Sequence, residues 1–198
     1  MISKPRGQMQ PFTIRDVETI RTKLTATGSM RDLALFEVAI STALRASDVT
    51  GLRVRDVTDG AARLNDGARV RQRKTGNVVT VPLSPRARDA LAVLIADQKL
   101  AGDAFLFQRQ DQGGKGQRIT TETFAKLVKR WADLAGYTDT SKFSGHSTRR
   151  TRAAYLYDQS KDIANVAKLL GHSSVANAMH YLNIGNDDAL ALARRYEM

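Results

Sequence analysis

The chain has 198 residues and no cysteine, and its 31 Lys and Arg against 20 Asp and Glu give a formal net charge of +11. That length with 42% hydrophobic residues holds a buried core in one domain or two small ones, while the missing cysteine excludes disulfides, thiolate metal sites and a thiol nucleophile. No stretch approaches about 18 uncharged apolar residues and the first six residues lack a signal-like apolar run, so a soluble, cytoplasmic protein is expected.

Thr13 with Asp16 three residues on reads as a helix start, and Ile14, Val17, Ile20 and Leu24 continue it to Thr27-Gly28. Residues 30–44 are apolar nearly all round and predict a central core helix. Arg45 follows directly, and Ser47 or Asp48 is placed to cap a short helix reaching Leu52. From Val54 to Pro82 the period changes to short valine-bearing runs between Asp59-Gly60, Asp66-Gly67 and Thr75-Gly76-Asn77, which predicts a small antiparallel sheet of about three strands. Ser84-Pro85 then opens a helix carrying Ala87, Leu91, Leu94 and Ile95. Phe105-Leu106-Phe107 is short enough to be only a strand fragment or core plug, and the polar, glycine-bearing residues 108–117 read as a mobile loop. Further helices are expected from Thr120 or Thr121 to Gly136, over about 147–159, over 163–170 behind an Asp162 cap, around 174–180 and over about 187–195. The fold class is α+β, mostly α, with one small antiparallel sheet near residues 54–82.

A large positive surplus repels itself in the compact state and attracts polyanions, so nucleic acid is the leading partner. The cations recur in short groups, among them Arg53 and Arg55, then Arg69, Arg71, Arg73 and Lys74, then Arg149, Arg150 and Arg152. Basic faces on an ordinary soluble domain are the plainer alternative. All three histidines, His146, His172 and His180, lie in the last 53 residues of the chain. His146 and Arg149, three apart, share one face of a helix start, where unpaired amides already favour an anion. Arg45, leaving a core helix, must reach solvent, a carboxylate such as Asp48, or a bound anion, and spacing alone leaves these open. Lys74 precedes a hairpin turn and is by itself as ordinary as any solvated lysine. No carboxylate pair, metal-ligand cluster or glycine-rich phosphate loop accompanies these groups. The chemistry on offer is metal-free and cofactor-free, built from Arg, Lys, His and Tyr around a phosphate.

Five segments in order carry a resemblance. Thr42-Ala43-Leu44-Arg45-Ala46-Ser47-Asp48-Val49-Thr50-Gly51-Leu52 is similar to the first-arginine motif of the tyrosine recombinase, or phage integrase, family. Gln72-Arg73-Lys74-Thr75-Gly76, running on to Val81-Pro82-Leu83, resembles its β-hairpin lysine. His146-Ser147-Thr148-Arg149-Arg150 resembles its His-x-x-Arg box. Leu169-Leu170-Gly171-His172-Ser173-Ser174, with His172 26 residues after His146, and Tyr181 nine residues later, resemble its second histidine and nucleophile. Thr148 stands where the family usually has an apolar residue, and His180 adjoins the nucleophile; neither removes a catalytic group.

The resemblance implies a catalytic domain over residues 12–182, with a lead segment at 1–11 and a tail helix at 183–198 that docks on a neighbouring subunit or on its own domain. It implies a site-specific recombinase that cuts and rejoins double-stranded DNA through a 3′-phosphotyrosyl intermediate, with integration, excision, inversion or resolution as outcome. Tyr181 would be the nucleophile, Arg45 and Arg149 the holders of the nonbridging oxygens, His146 the general base, Lys74 the general acid and His172 a phosphate donor. Asp48 would support the first-arginine region, with Arg71, Arg73 and Arg150 on DNA. A homo-tetramer on paired sites, with accessory DNA-bending proteins as further candidate partners, completes the expectation. About a dozen residues before the first helix leave no room for the family's N-terminal core-binding domain. The length suits both the short recombinases that invert fimbrial promoter segments and a fragment of a larger integrase. A topoisomerase-like nicking and closing enzyme and a noncatalytic DNA-binding regulator of the same fold are the alternatives.

Overall fold

Thr13 starts the first helix in the way its spacing predicts: its hydroxyl accepts the Asp16 amide at 3.1 Å while the Asp16 carboxylate accepts the Thr13 amide at 2.8 Å. The structure is a computed structural model and describes residues 8–171, 174–182 and 194. Its contacts divide the chain into two compact units, Met1–Arg152 and Ala153–Met198.

In the first unit, α1 (Ile14–Ala26) packs on α2 (Met30–Thr42), which also lies against α5 (Pro85–Asp97). Ten of the thirteen α2 residues are buried, as a helix apolar nearly all round requires. The core closes over α6 (Thr121–Leu134), where Trp131 meets Phe36 and Phe124 edge to face with ring centroids 5.1 and 5.9 Å apart. Phe12 stacks on Phe143 at 4.9 Å, and its amide donates to Thr151 Oγ1 at 2.8 Å, tying the start of the unit to its end. Leu106 and Phe107 are fully buried, so the Phe-Leu-Phe segment is a core plug, held by isolated bridges rather than by a strand of its own.

The sheet has two strands, not three. β1 (Gly67–Arg71) and β2 (Val78–Pro82) pair antiparallel, from Gly67 opposite Pro82 to Arg71 opposite Val78. The segment expected to supply a third strand instead forms a short helix, α4 (Val54–Val57), because the Asp56 side chain accepts the Arg53 amide at 2.8 Å and closes a turn. Asp59 then takes the amides of Ala61 and Arg63 at 2.9 Å, so these residues follow a side-chain-directed loop with one isolated bridge, Thr58 to Leu64. The short helix after Arg45 also differs. It is α3 (Ala46–Val49), Arg45 itself occupies the N-cap position, and neither Ser47 nor Asp48 caps it. Backbone turns carry the chain from there to Leu52.

Helix α7 (Gly145–Ser160) begins in the first unit and ends in the second. In the second unit, Asp162 Oδ1 accepts the Asn165 amide at 3.0 Å and caps α8 (Ile163–Leu170). Gly171, at φ +62°, ends that helix in the left-handed conformation that glycine adopts without strain. Helix α9 (Val175–Leu182) packs on α8. His172 and the expected tail helix at 187–195 lie outside the described residues.

Candidate active site

Three of the expected catalytic residues, Arg45, His146 and Arg149, converge in the first unit. α2 ends at Ala43, whose φ of +52° is unusual for a residue with a side chain. That turn sets the Ala43 carbonyl to accept Arg149 Nη1 at 2.7 Å and sends the chain extended through Arg45. Arg149 is only 4% exposed, so this bond fixes the direction of a charge that the fold has removed from water.

Helix α7 is brought against the same segment by a glycine. A Cβ on Gly145 would stand 2.9 Å from Ala46 Cβ and 3.1 Å from two Phe124 ring carbons, so the helix start seats directly on the first residue of α3. Ser144 and Ser147 cap it: Ser144 Oγ accepts the His146 amide at 3.3 Å, and Ser147 Oγ accepts the Ser144 amide at 3.1 Å. Thr148, polar where the family is usually apolar, is fully buried and returns its hydroxyl to the Gly145 carbonyl at 3.0 Å.

His146 feels the result. One side of the residue stays open to solvent, yet its pKa is pushed below the ordinary 6.5. Loss of water around the ring is the first cause, followed by the positive charges of Arg149, Arg45 and Arg150. A histidine biased toward its neutral form among three guanidinium groups has a ring nitrogen able to accept a proton.

The Arg45 to Asp48 ion pair that spacing left open does not form. Arg45 Nη1 and Asp48 Oδ2 are buried, and neither has a hydrogen-bond partner among the described residues. Asp48, 2% exposed, directs Oδ1 to the Arg73 amide at 2.9 Å. This carboxylate thus anchors the β1–β2 hairpin, one residue from Lys74, to the helix that follows Arg45. The tip is drawn in by Gln72, whose carbonyl accepts the Gly76 amide and whose Oε1 accepts the Thr75 hydroxyl, at 2.8 and 2.9 Å. Gly76 adopts φ +73°, and Lys74 stands exposed on the tip.

The expected DNA-contacting arginines divide. Arg71 and Arg73 are exposed on the hairpin, whereas Arg150 is 7% exposed and donates Nη1 to Gln8 Oε1 at 2.8 Å. The charge of Arg150 also lowers the His146 pKa. Tyr181 is half-buried on α9 of the second unit, next to exposed His180. Sequence reasoning passed over Gly145, whose role is visible only once α3 and α6 are placed, and Arg118, one of three cations, with Arg109 and Lys115, in a polar stretch. No group of three or more His, Asp or Glu among the described residues is arranged to hold a metal ion, and no helix among them is long and apolar enough to cross a membrane.

Residues 12–187 match the model of the phage integrase family. The chain is 31% identical over 170 residues to tyrosine recombinase XerC of Neisseria gonorrhoeae, covering 85% of this chain and 51% of that protein. It is 27% identical over 171 residues to tyrosine recombinase XerD of Proteus mirabilis, covering 84% and 52%. The chain thus spans about half the length of the curated relatives it matches. Among solved structures, XerA recombinase superposes with a TM-score of 0.75 at 18% identity, over 100% of this chain and 67% of that one. The XerH site-specific recombinase in its post-cleavage complex with palindromic difH substrate gives 0.75 at 20% identity, over 100% and 56%. With the fold, the ordered motifs and the family match in agreement, the chain belongs to the phage integrase family.

Proposed function

We propose that this chain is the catalytic part of a site-specific recombinase acting on double-stranded DNA. The Tyr181 phenolic oxygen attacks the scissile phosphorus, forming the 3′-phosphotyrosyl bond as the bond to the 5′ oxygen breaks. A tyrosine with a pKa near 10 is a poor nucleophile at neutral pH, so its proton must be taken as the bond forms, and His146 takes it. Lys74 returns a proton to the departing 5′ oxygen. Arg45 and Arg149 hold the nonbridging oxygens and stabilise the charge that grows on them, and His172 donates a further hydrogen bond. The phosphotyrosyl bond conserves the phosphodiester's free energy, so the released 5′-hydroxyl can rejoin without an external energy source or cofactor.

One observation carries the reading: a neutral-leaning His146 set among Arg45, Arg149 and Arg150, with Arg45 Nη1 buried and unpartnered. Family membership and the names of the relatives, tyrosine recombinases XerC and XerD, support it. So does the resemblance to XerH bound to its difH substrate. Residues 12–182 form the catalytic domain, 1–11 lead into it, and 183–198 dock on a neighbouring subunit. Four copies assemble on two paired sites in the cytoplasm, with accessory DNA-bending proteins biasing the outcome.

Incubation with nicked duplex DNA should trap a protein–DNA complex that survives denaturant, and Tyr181→Phe should abolish it. Persistence of the complex in that variant would overturn the nucleophile assignment. Relaxed supercoils without exchanged products from a two-site substrate would mark a topoisomerase instead, and binding with no covalent product a regulator.

A further inference from the structure

A second concentration of positive charge lies beside the site. Five arginines, Arg53, Arg55, Arg71, Arg73 and Arg118, line a cavity of about 320 Å³ that shares only Asp48, Arg71 and Arg73 with the residues assigned above. Both of its carboxylates are engaged with backbone amides, Asp48 with Arg73 and Asp56 with Arg53. They position the arginine-bearing backbone and form no ion pair with the Arg73 or Arg118 side chain.

The other cations have partners. Arg55 pairs with Asp103, Arg53 donates to the Asp103 carbonyl and lies over the Phe105 ring at 4.0 Å, and Arg71 Nη1 donates to the Gly76 carbonyl at 3.0 Å. Arg73 and Arg118 make no salt bridge among the described residues. They are close enough that the charge of Arg73, after burial itself, holds the Arg118 guanidinium below its ordinary pKa. Arg118 is also firmly mounted. It bridges to Gln108, flanking amides bond across the same two segments at 2.8 and 2.9 Å, and neighbouring Ile119 and Phe107 are fully buried. A Cβ on Gly51 would lie 3.6 Å from Arg118 Nη1, so the guanidinium reaches over the turn that follows α3. Two like charges held together on rigid backbone, without a carboxylate between them, suit a planar or tetrahedral oxyanion gripped by two forks.

We infer that Arg73 and Arg118 form a second phosphate site, which grips a DNA-backbone phosphate other than the one that is cut. The inference rests on the DNA reading above and adds Arg118 to it. Arg73 is adjacent to Lys74 and tied to Asp48, so an anion in this cleft lies along the path of a strand that reaches the catalytic residues. A free phosphate would satisfy the same donors, and the experiment separates the two sources.

The test uses the full chain carrying Tyr181→Phe, so that no covalent step intervenes, and a 40-base-pair mixed-sequence duplex across a salt series. Arg118→Gln should weaken binding roughly tenfold at low salt, the net worth of one charge-assisted hydrogen bond. It should lower the slope of log affinity against log salt by about 0.9, one phosphate's worth of released counterions. Arg118→Lys should keep the slope. Arg73→Gln should mimic Arg118→Gln, and the double variant should lose less than the sum, because both arginines serve one phosphate. An unchanged slope in Arg118→Gln, or full additivity, overturns the inference. So does thermal stabilisation by inorganic phosphate that Arg118→Gln abolishes while the duplex slope stays at the parent's value. Absence of a covalent complex on nicked duplex with the unmodified chain would instead sink the recombinase reading and leave the slope result standing.

Discussion

Asp48 Oδ1 accepts the backbone amide of Arg73 at 2.9 Å, and this one bond joins the segment after Arg45 to the hairpin that carries Lys74. Spacing had offered Asp48 as a partner for Arg45, but the carboxylate reaches across the fold instead. Asp48→Ala removes the acceptor of the part-buried Arg73 amide, at a cost of about 1 kcal/mol, the net worth of one hydrogen bond. It should also slow cleavage by letting the hairpin drift. Asp48→Asn keeps a carbonyl oxygen in place and should recover most of both losses in thermal unfolding and in covalent-complex formation. Equal losses in the two variants would show that the negative charge matters rather than the hydrogen bond.

Gly145 sits where no side chain fits. An added methyl group would meet Ala46 Cβ at 2.9 Å and the Phe124 ring at 3.1 Å, so Gly145→Ala should overpack the junction by about 1–3 kcal/mol. Because His146 is the next residue, cleavage should fall even at temperatures where the variant is fully folded. Adding Ala46→Gly removes the closest contact and should restore part of the activity. Failure of that pairing to recover anything would place the damage in Phe124 instead.

The elements legible in the sequence are those whose signals are local. Thr13 with Asp16, Ser84 with Pro85, and Gly171 each mark a helix end by satisfying or releasing backbone groups within one turn, and each does so here. The hairpin was legible from its valines and the Thr75-Gly76-Asn77 turn. The third strand misled because β-branched Val54 and Val57 outweighed, in the pattern, a single Asp56 able to close a turn on Arg53. The members of the candidate site could be named from their order along the chain, but not their connections. That Arg149 is aimed by the Ala43 carbonyl, that Asp48 serves Arg73, and that Arg118 lines one cavity with Arg73 are facts about residues far apart in sequence, set only when α3, α6, α7 and the hairpin are packed together.

Trp131 is the hub of the core that holds this arrangement, with Phe36 and Phe124 both edge-on to it. Trp131→Ala should cost about 3–5 kcal/mol in denaturant unfolding, the range for emptying a large aromatic site. Trp131→Phe, which keeps an aromatic edge contact, should cost clearly less. Similar losses for the two would mean that the site collapses around the smaller residue.

His146 makes both activity and stability depend on pH, with a definite sign. Its folded pKa lies below the unfolded value near 6.5, because burial and the charges of Arg149, Arg45 and Arg150 oppose protonation. The unfolded chain therefore binds this proton more readily, so the stability from His146 is intact above about pH 6.5 and declines as pH falls through the lower folded value. The rate of covalent-complex formation, which needs the neutral base, should fall on the acidic side with a midpoint below 6.5, the value an unperturbed histidine would give. Arg150→Met removes one of the opposing charges without touching the phosphate-holding pair, so the acidic limb should move up toward 6.5. A limb that stays in place, or moves down, would show that the charge of Arg150 does not reach the imidazole.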